Sequence, residues 1–182
     1  MSEHKLPTLA ELAMSPEEAF RNDQLNILLN NPPPTQWVKA HPIVKINGVP
    51  VKYLPIDKVE FLLTKIFQNW KVEVLREGQL FNSVYVAVRL HYRNPLTGEW
   101  LSHDGLGAVG VQTDAGAKAS DLTAIKQDAI MKALPAAESY AVKDAAEKIG
   151  AIFGKDLNRR DVAVFNKGSY SHIFENGQVV SQ

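Results

Sequence analysis

Cysteine is absent from the 182 residues. That removes disulfides, cysteine-based zinc sites and thiol nucleophiles together, and it points to an intracellular protein. No apolar run approaches 18 residues, so no membrane span is expected. The N-terminal stretch MSEHKLPTLAELAM carries Glu3 and Glu11 and lacks an uninterrupted apolar core, so it does not read as a secretory signal. No G-x-x-x-x-G-K-[ST] pattern occurs, which excludes ATP-driven work through a P-loop. Net charge is also missing: 20 basic residues balance 20 acidic ones, which argues against a uniformly basic surface.

The neutral total hides an uneven distribution. Residues 1–35 hold two basic and five acidic side chains, whereas residues 36–100 hold nine and five. The balance turns acidic again over residues 101–154, with five and seven. A positive excess in the middle of the chain is compatible with a local anion-binding groove, and equally with a solvated sheet face.

That middle region is organised around Val51–Trp70, which reads as a strand, a proline turn, a helix over about 56–67 and an aromatic opening the next strand. Val59, Leu62, Leu63, Ile66 and Phe67 recur at helical spacing, with Lys58 and Lys65 on other faces. Upstream, Ser15-Pro16-Glu17-Glu18 is a helix start, with serine as N-cap and proline at the first helical position. Asn30-Asn31-Pro32-Pro33-Pro34 ends that helix in a stiff connector. Asn47-Gly48 predicts a hairpin turn.

Downstream, a strand over 70–76, a turn at Glu77-Gly78-Gln79 and a strand over 81–93 are expected. In the latter, Val84, Val86, Val88, Leu90 and Tyr92 alternate with Tyr85, Ala87, Arg89, His91 and Arg93. A turn at 94–98 leads to a short third strand over 99–104, completing an antiparallel meander. A glycine-rich loop is expected over 105–116, then Ala-rich helix from Ala117 to Leu134, an interruption at Pro135, and a last helix from about Ala136 to Phe153 capped by Gly154. The tail has no sustained period and allows at most a short strand or hairpin over 171–180. The fold class expected is α+β: an antiparallel β-meander, a β-β-β-α type core, packed against a central helix and a long C-terminal Ala-rich helical region. The domain division expected is a helical arm over 1–35, a core domain over 36–157 and a tail over 158–182.

Few motifs carry chemistry. Gly105-Leu106-Gly107-Ala108-Val109-Gly110 matches G-x-G-x-x-G, but the dinucleotide fingerprint needs a parallel βαβ unit with a helix opening at the glycines. The expected antiparallel strands give the wrong context, so a turned loop is the better reading and no cofactor is expected. His91, His103 and Asp104 cluster in sequence without a metal-ligand spacing, so no metal is expected. No paired carboxylates stand out, and nothing points to an enzyme. The strand face of Tyr85, Arg89, His91 and Arg93 mixes cations with an aromatic ring and could track phosphates while the ring stacks on a base. The same face reads as the solvent side of a half-buried sheet, and the residues alone favour that. Lys143, on an otherwise Ala-, Ile- and Phe-rich helix face, reads alone as a surface residue.

Taken in order, these segments resemble the annealing domain of the Rad-fifty-two family, the eukaryotic single-strand annealing proteins with relatives in phages. The residues that carry the resemblance are Val51-Lys52-Tyr53-Leu54 leading into Val59–Phe67 and Trp70, then the Val86–Leu90 strand and EWLSHDGLG over 99–107. Ala141-Val142-Lys143-Asp144-Ala145-Ala146, closing on Ile149-Gly150 and Phe153-Gly154, completes it over roughly residues 49–157. The resemblance implies a β-β-β-α core assembling into homo-oligomeric rings or filaments, with single-stranded DNA in a basic groove between sheet and final helix. It places Lys143 as the groove lysine of the final helix, Lys58 as a basic groove residue at the start of the central helix, and Lys118 as a further lysine before the Ala-rich region. Asp144 and Glu147 stand where the eukaryotic members carry arginines, which leaves Arg89, Arg93 and Tyr85 as candidate supplementary contacts.

The implied function is ATP-independent binding and annealing of complementary single strands in homologous recombination, with no catalytic residues. Annealing needs neutralised phosphates and accessible bases, and duplex formation supplies the driving force. The alternative is a recombination mediator or DNA-end-protecting protein of the same fold that does not anneal. Further implied partners are a single-strand-binding protein or a recombinase recruited by the tail. The short chain suggests a phage-type member working in the cytoplasm of a bacterial host.

Overall fold

The computed structural model describes residues 15–118, 120–126 and 128–159, together with 174–175 and 178–179. The chain divides into two compact units, Pro32–Asn158 and the pair Met1–Asn31 with Arg159–Gln182. The latter contains helix α1 (Pro16–Asn30), whose first turn is capped by Ser15 Oγ accepting from the Glu18 amide at 3.2 Å. It also contains a short antiparallel pair, 174–175 with 178–179, inside the hairpin expected over 171–180. The part of the N-terminal arm before Ser15 lies outside the described residues.

The larger unit begins with β1 (Lys39–Ile46) and β2 (Val49–Tyr53), an antiparallel hairpin. Its turn residues, Asn47 at φ 52° and Gly48 at φ 80°, both adopt the left-handed backbone that a two-residue turn of this kind requires. Helix α2 (Ile56–Phe67) follows and buries Val59, Leu62, Leu63 and Phe67, the face its spacing predicted. Three strands then form one antiparallel sheet in sequence order: β3 (Trp70–Leu80), β4 (Ser83–Arg93) and β5 (Trp100–Gly110). Helix α3 (Ala129–Glu147) packs on β4 and β5. The fold is α+β, a meander covered by helices. No described helix is long and apolar enough to cross a membrane.

The core lies between sheet and helices. Val84, Val86, Val88, Leu90 and Tyr92 of β4 are all buried, which is the alternation read from the sequence. Phe67 of α2 stacks near Tyr92 (centroids 4.5 Å apart) and Phe153 (6.4 Å), so the end of the central helix and the segment after α3 close on the same strand.

Several boundaries differ from expectation, each for a physical reason. Glu77-Gly78-Gln79 does not turn. It continues β3, and the chain reverses at Phe81-Asn82, with Phe81 at φ 53°. Gly78 is there because the Tyr85 ring crosses it: a Cβ at Gly78 would lie 2.7 Å from Tyr85 Oη. The third strand does not stop at Asp104, and residues 105–110 are not a loop but its second half. Gly105 and Gly107 lie under α3, where an added Cβ would stand 2.0 Å from the carbonyl oxygens of Ala141 and Ala137 respectively. The glycines let a helix backbone approach a strand.

The Ala-rich region also folds differently. Among the described residues of 111–128, the regular structure is a 3₁₀ turn at Leu122–Ala124, capped by Asp121, and a bridge between Thr113 and Ile125. A single helix then runs from Ala129 through Pro135 to Glu147, and Gly154 caps a separate 3₁₀ turn at φ 102°. Ala129, Ala133, Ala137, Ala141 and Ala145 are buried at four-residue intervals, on both sides of the proline. That continuous contact holds the helix through Pro135. The bond the proline forfeits is to the carbonyl of Met131, a residue 79 % exposed, where water can take it.

Candidate nucleic-acid interface

An open groove of about 610 Å³ lies between the β1–β2 hairpin and α3. The hairpin wall is irregular because Pro42 cannot donate to the ladder, and the register slips between Ala40 and Lys45. Within that slip the Val44 amide donates to His41 Nδ1 at 3.0 Å, which fixes that nitrogen as an acceptor, and the His41 ring sits 6.0 Å from that of Tyr53. The base is tied down by Asn158, whose Oδ1 accepts from the Lys52 amide and whose Nδ2 donates to the Lys52 carbonyl, both at 2.7 Å.

The helical wall presents Tyr140, Lys143, Asp144 and Glu147, spaced i, i+3, i+4, i+7 on one face. Lys143 Nζ lies 4.3 Å from the Tyr140 ring centre and 5.1 Å from that of Tyr53, a cation between two aromatic faces. Burial pushes its pKa below the ordinary lysine value, and the Glu147 carboxylate pulls it partly back. Lys143 makes no ion pair among the described residues. Its neighbour Asp144, on the same groove wall, is tied to the sheet edge: Oδ2 accepts from the Leu106 amide at 3.1 Å and from Lys148 Nζ at 3.1 Å. Lys148 donates to the Asp104 carbonyl as well, so Asp144 and Lys148 together cover the outer edge of β5. Of the two acidic residues that the resemblance sets against the groove charge, Asp144 is thus engaged in closing the sheet, while Glu147 remains on the groove wall beside Lys143.

The other residues singled out from the sequence lie elsewhere. Lys58 stands on the first turn of α2, 3.1 Å from Asp57 and 5.8 Å over the Trp37 ring, and does not line the groove. The hydrogen bond from its ammonium, then its charge, draws the Asp57 carboxyl below the usual range. Lys118 is exposed on the segment before α3. Arg89 is on the sheet face opposite the helices, in a two-pronged pair with Asp104 at 2.6 and 2.9 Å that holds the Asp104 carboxyl low. Arg93 donates through Nε to the Gly98 carbonyl at 2.8 Å, stapling the 94–98 turn, and lines a smaller cavity of about 430 Å³ at that end of the sheet. Tyr85 lies across Gly78. The structure therefore does not bring the six together: Lys143 is in the groove, and Arg89, Arg93 and Tyr85 share the far face of β4.

Tyr53 and Tyr140 are groove residues that site assignment from the sequence missed. Tyr140 was legible as the i−3 neighbour of Lys143 on a helix; Tyr53 was not, because only the hairpin fold carries it to α3. His91, His103 and Asp104 do not converge. His91 pairs with Glu73 at 3.0 Å, whereas His103 points to the opposite face and stacks on Tyr92 at 5.9 Å. No group of three or more metal-ligating side chains gathers among the described residues. No protein-family model matches the chain, and no curated protein matches its sequence.

Proposed function

We propose that this protein binds single-stranded DNA in the groove between the β1–β2 hairpin and α3, and anneals complementary strands without ATP as a homo-oligomer, in the manner of the Rad-fifty-two family. The observation that carries the reading is Lys143: a half-buried ammonium, flanked by two tyrosine rings, without an ion pair among the described residues, in an open groove. A cation already partly desolvated and held in no ion pair among the described residues gains from a phosphate what an exposed lysine does not. Adjacent rings give the sugar and base apolar surface. The succession of hairpin, helix, three-stranded meander and long helix supports the family reading. With it come a phage-encoded origin, a bacterial cytoplasm as the place of action, and recruitment of a single-strand-binding protein or recombinase.

The test is annealing of two complementary labelled oligonucleotides without nucleotide, at two salt concentrations, with wild type and Lys143→Ala. Acceleration that fades with salt and is lost in the variant is expected, with single-strand affinity down about tenfold or more. Binding without acceleration would replace annealing by mediation or end protection. Equal binding by wild type and variant would remove the groove assignment.

A further inference from the structure

We infer a base-stacking row for single-stranded nucleic acid on the outer side of α2, formed by Trp37 and Phe61 between Lys58 and Lys65. It rests on the reading of the chain as a single-strand binder, but on none of the groove residues. Helix α2 buries its inner positions, so the outward row Lys58, Phe61, Lys65 at i, i+3, i+7 has no packing role that demands an aromatic. Phe61 is nevertheless there, 47 % exposed. The Trp37 ring stands against it edge-on at 88°, centroids 5.7 Å apart. Each ring carries a lysine: Lys58 Nζ is 5.8 Å from the Trp37 ring and Lys65 Nζ 5.7 Å from Phe61. Helical rise sets these two lysines about 10.5 Å apart along the axis, with the rings between them.

Trp37 is also rigidly placed. Pro32-Pro33-Pro34 leads into a single 3₁₀ turn at Thr35–Trp37, with Trp37 N donating to the Pro34 carbonyl at 2.9 Å, and β1 starts two residues on. A pre-positioned ring loses little freedom when it binds a flat partner. Charge selects the partner: residues 36–69 carry five lysines against two carboxylates, Asp57 and Glu60. The Asp57–Lys58 pair is exposed and readily exchanged for a phosphate. Cations beside an exposed Phe61 ring and a half-buried Trp37 ring suit a polyanion whose bases are unpaired. A duplex keeps its base faces inside and offers nothing to stack.

The test uses Trp37 as its own reporter. The chain has three tryptophans, so Trp70→Phe with Trp100→Phe leaves Trp37 alone. Its emission is followed at low salt on adding a thymidylate 12-mer, and an abasic oligodeoxynucleotide of equal length. Quenching by the thymidylate and not by the abasic chain is expected. In the otherwise unaltered protein, Phe61→Ala with Lys65→Ala is expected to weaken thymidylate binding about tenfold while abasic binding changes much less; this covers failure of the double phenylalanine variant to fold. Unchanged Trp37 emission with binding still sensitive to Lys143→Ala would overturn the row and keep the groove. Quenching that persists with no Lys143 effect would do the reverse. Equal quenching by the abasic chain would overturn stacking, and no binding of either oligonucleotide would overturn both.

Discussion

Among the described glycines, the two that lie under α3 leave least room for a side chain. Gly107 and Gly105 face α3 so closely that a methyl group would overlap a helix carbonyl, and neither helix nor strand can yield locally. Gly107→Ala is expected to destabilise the protein by roughly 3 kcal/mol, measured by urea unfolding. Gly110→Ala, in the same strand with nothing within 4 Å, should change stability by no more than about 0.5 kcal/mol. His103 gives a second residue-scale expectation. Burial, then the charge of Lys148, lowers its pKa, against a smaller opposing effect of Asp104. Between that lowered value and the ordinary 6.5, the unfolded chain holds more protons than the folded one, so stability falls as pH drops through this window. His103→Gln should flatten the loss seen as pH falls below the ordinary histidine value of 6.5, read as the shift in urea midpoint.

At the scale of elements, α3 does two jobs with opposite faces. Its alanine row lies on the glycines of β5, while Tyr140 and Lys143 face the hairpin, and Asp144 and Lys148 close the edge of β5. Asp144→Asn keeps an acceptor for the Leu106 amide but removes a negative charge from the groove. The expected result is a fold that holds by circular dichroism, with single-strand affinity raised by up to about fivefold. Asp144→Ala removes the acceptor too, and should lower the unfolding midpoint and promote edge-to-edge association, visible by light scattering. The far face of the sheet behaves differently. Arg89–Asp104 and His91–Glu73 satisfy one another across strands. Arg89→Ala should therefore alter stability more than it alters the salt dependence of DNA binding.

For the whole molecule, a neutral chain with one half-buried groove lysine cannot hold a strand tightly alone. Each phosphate neutralised contributes about −0.7 to the slope of log affinity against log salt for single strands. A monomer acting through Lys143 alone should show a slope of about −0.7. A ring or filament should show a slope growing with oligonucleotide length, because every protomer adds its own lysine. Fluorescence titrations with oligonucleotides of increasing length, paired with the mass of the protein by light scattering, separate the two.

Elements whose signals are local can be read from the chain without its packing. The period-two run of β4, the amphipathic stripe of α2, the Asn47-Gly48 turn and the Ser15 cap each depend on neighbours within a turn or a pleat, and each is found in place. The other elements depend on long-range packing. Gly105–Gly110 reads as a loop until α3 lies across it, and Pro135 as a break until alanines on both sides are buried against one sheet. The groove follows the same rule: Lys143 looks like a surface lysine in a helix, and only the hairpin brings Tyr53 to its ammonium. Contacts between residues far apart in the chain leave no periodic trace, so their consequences are settled only when the elements pack.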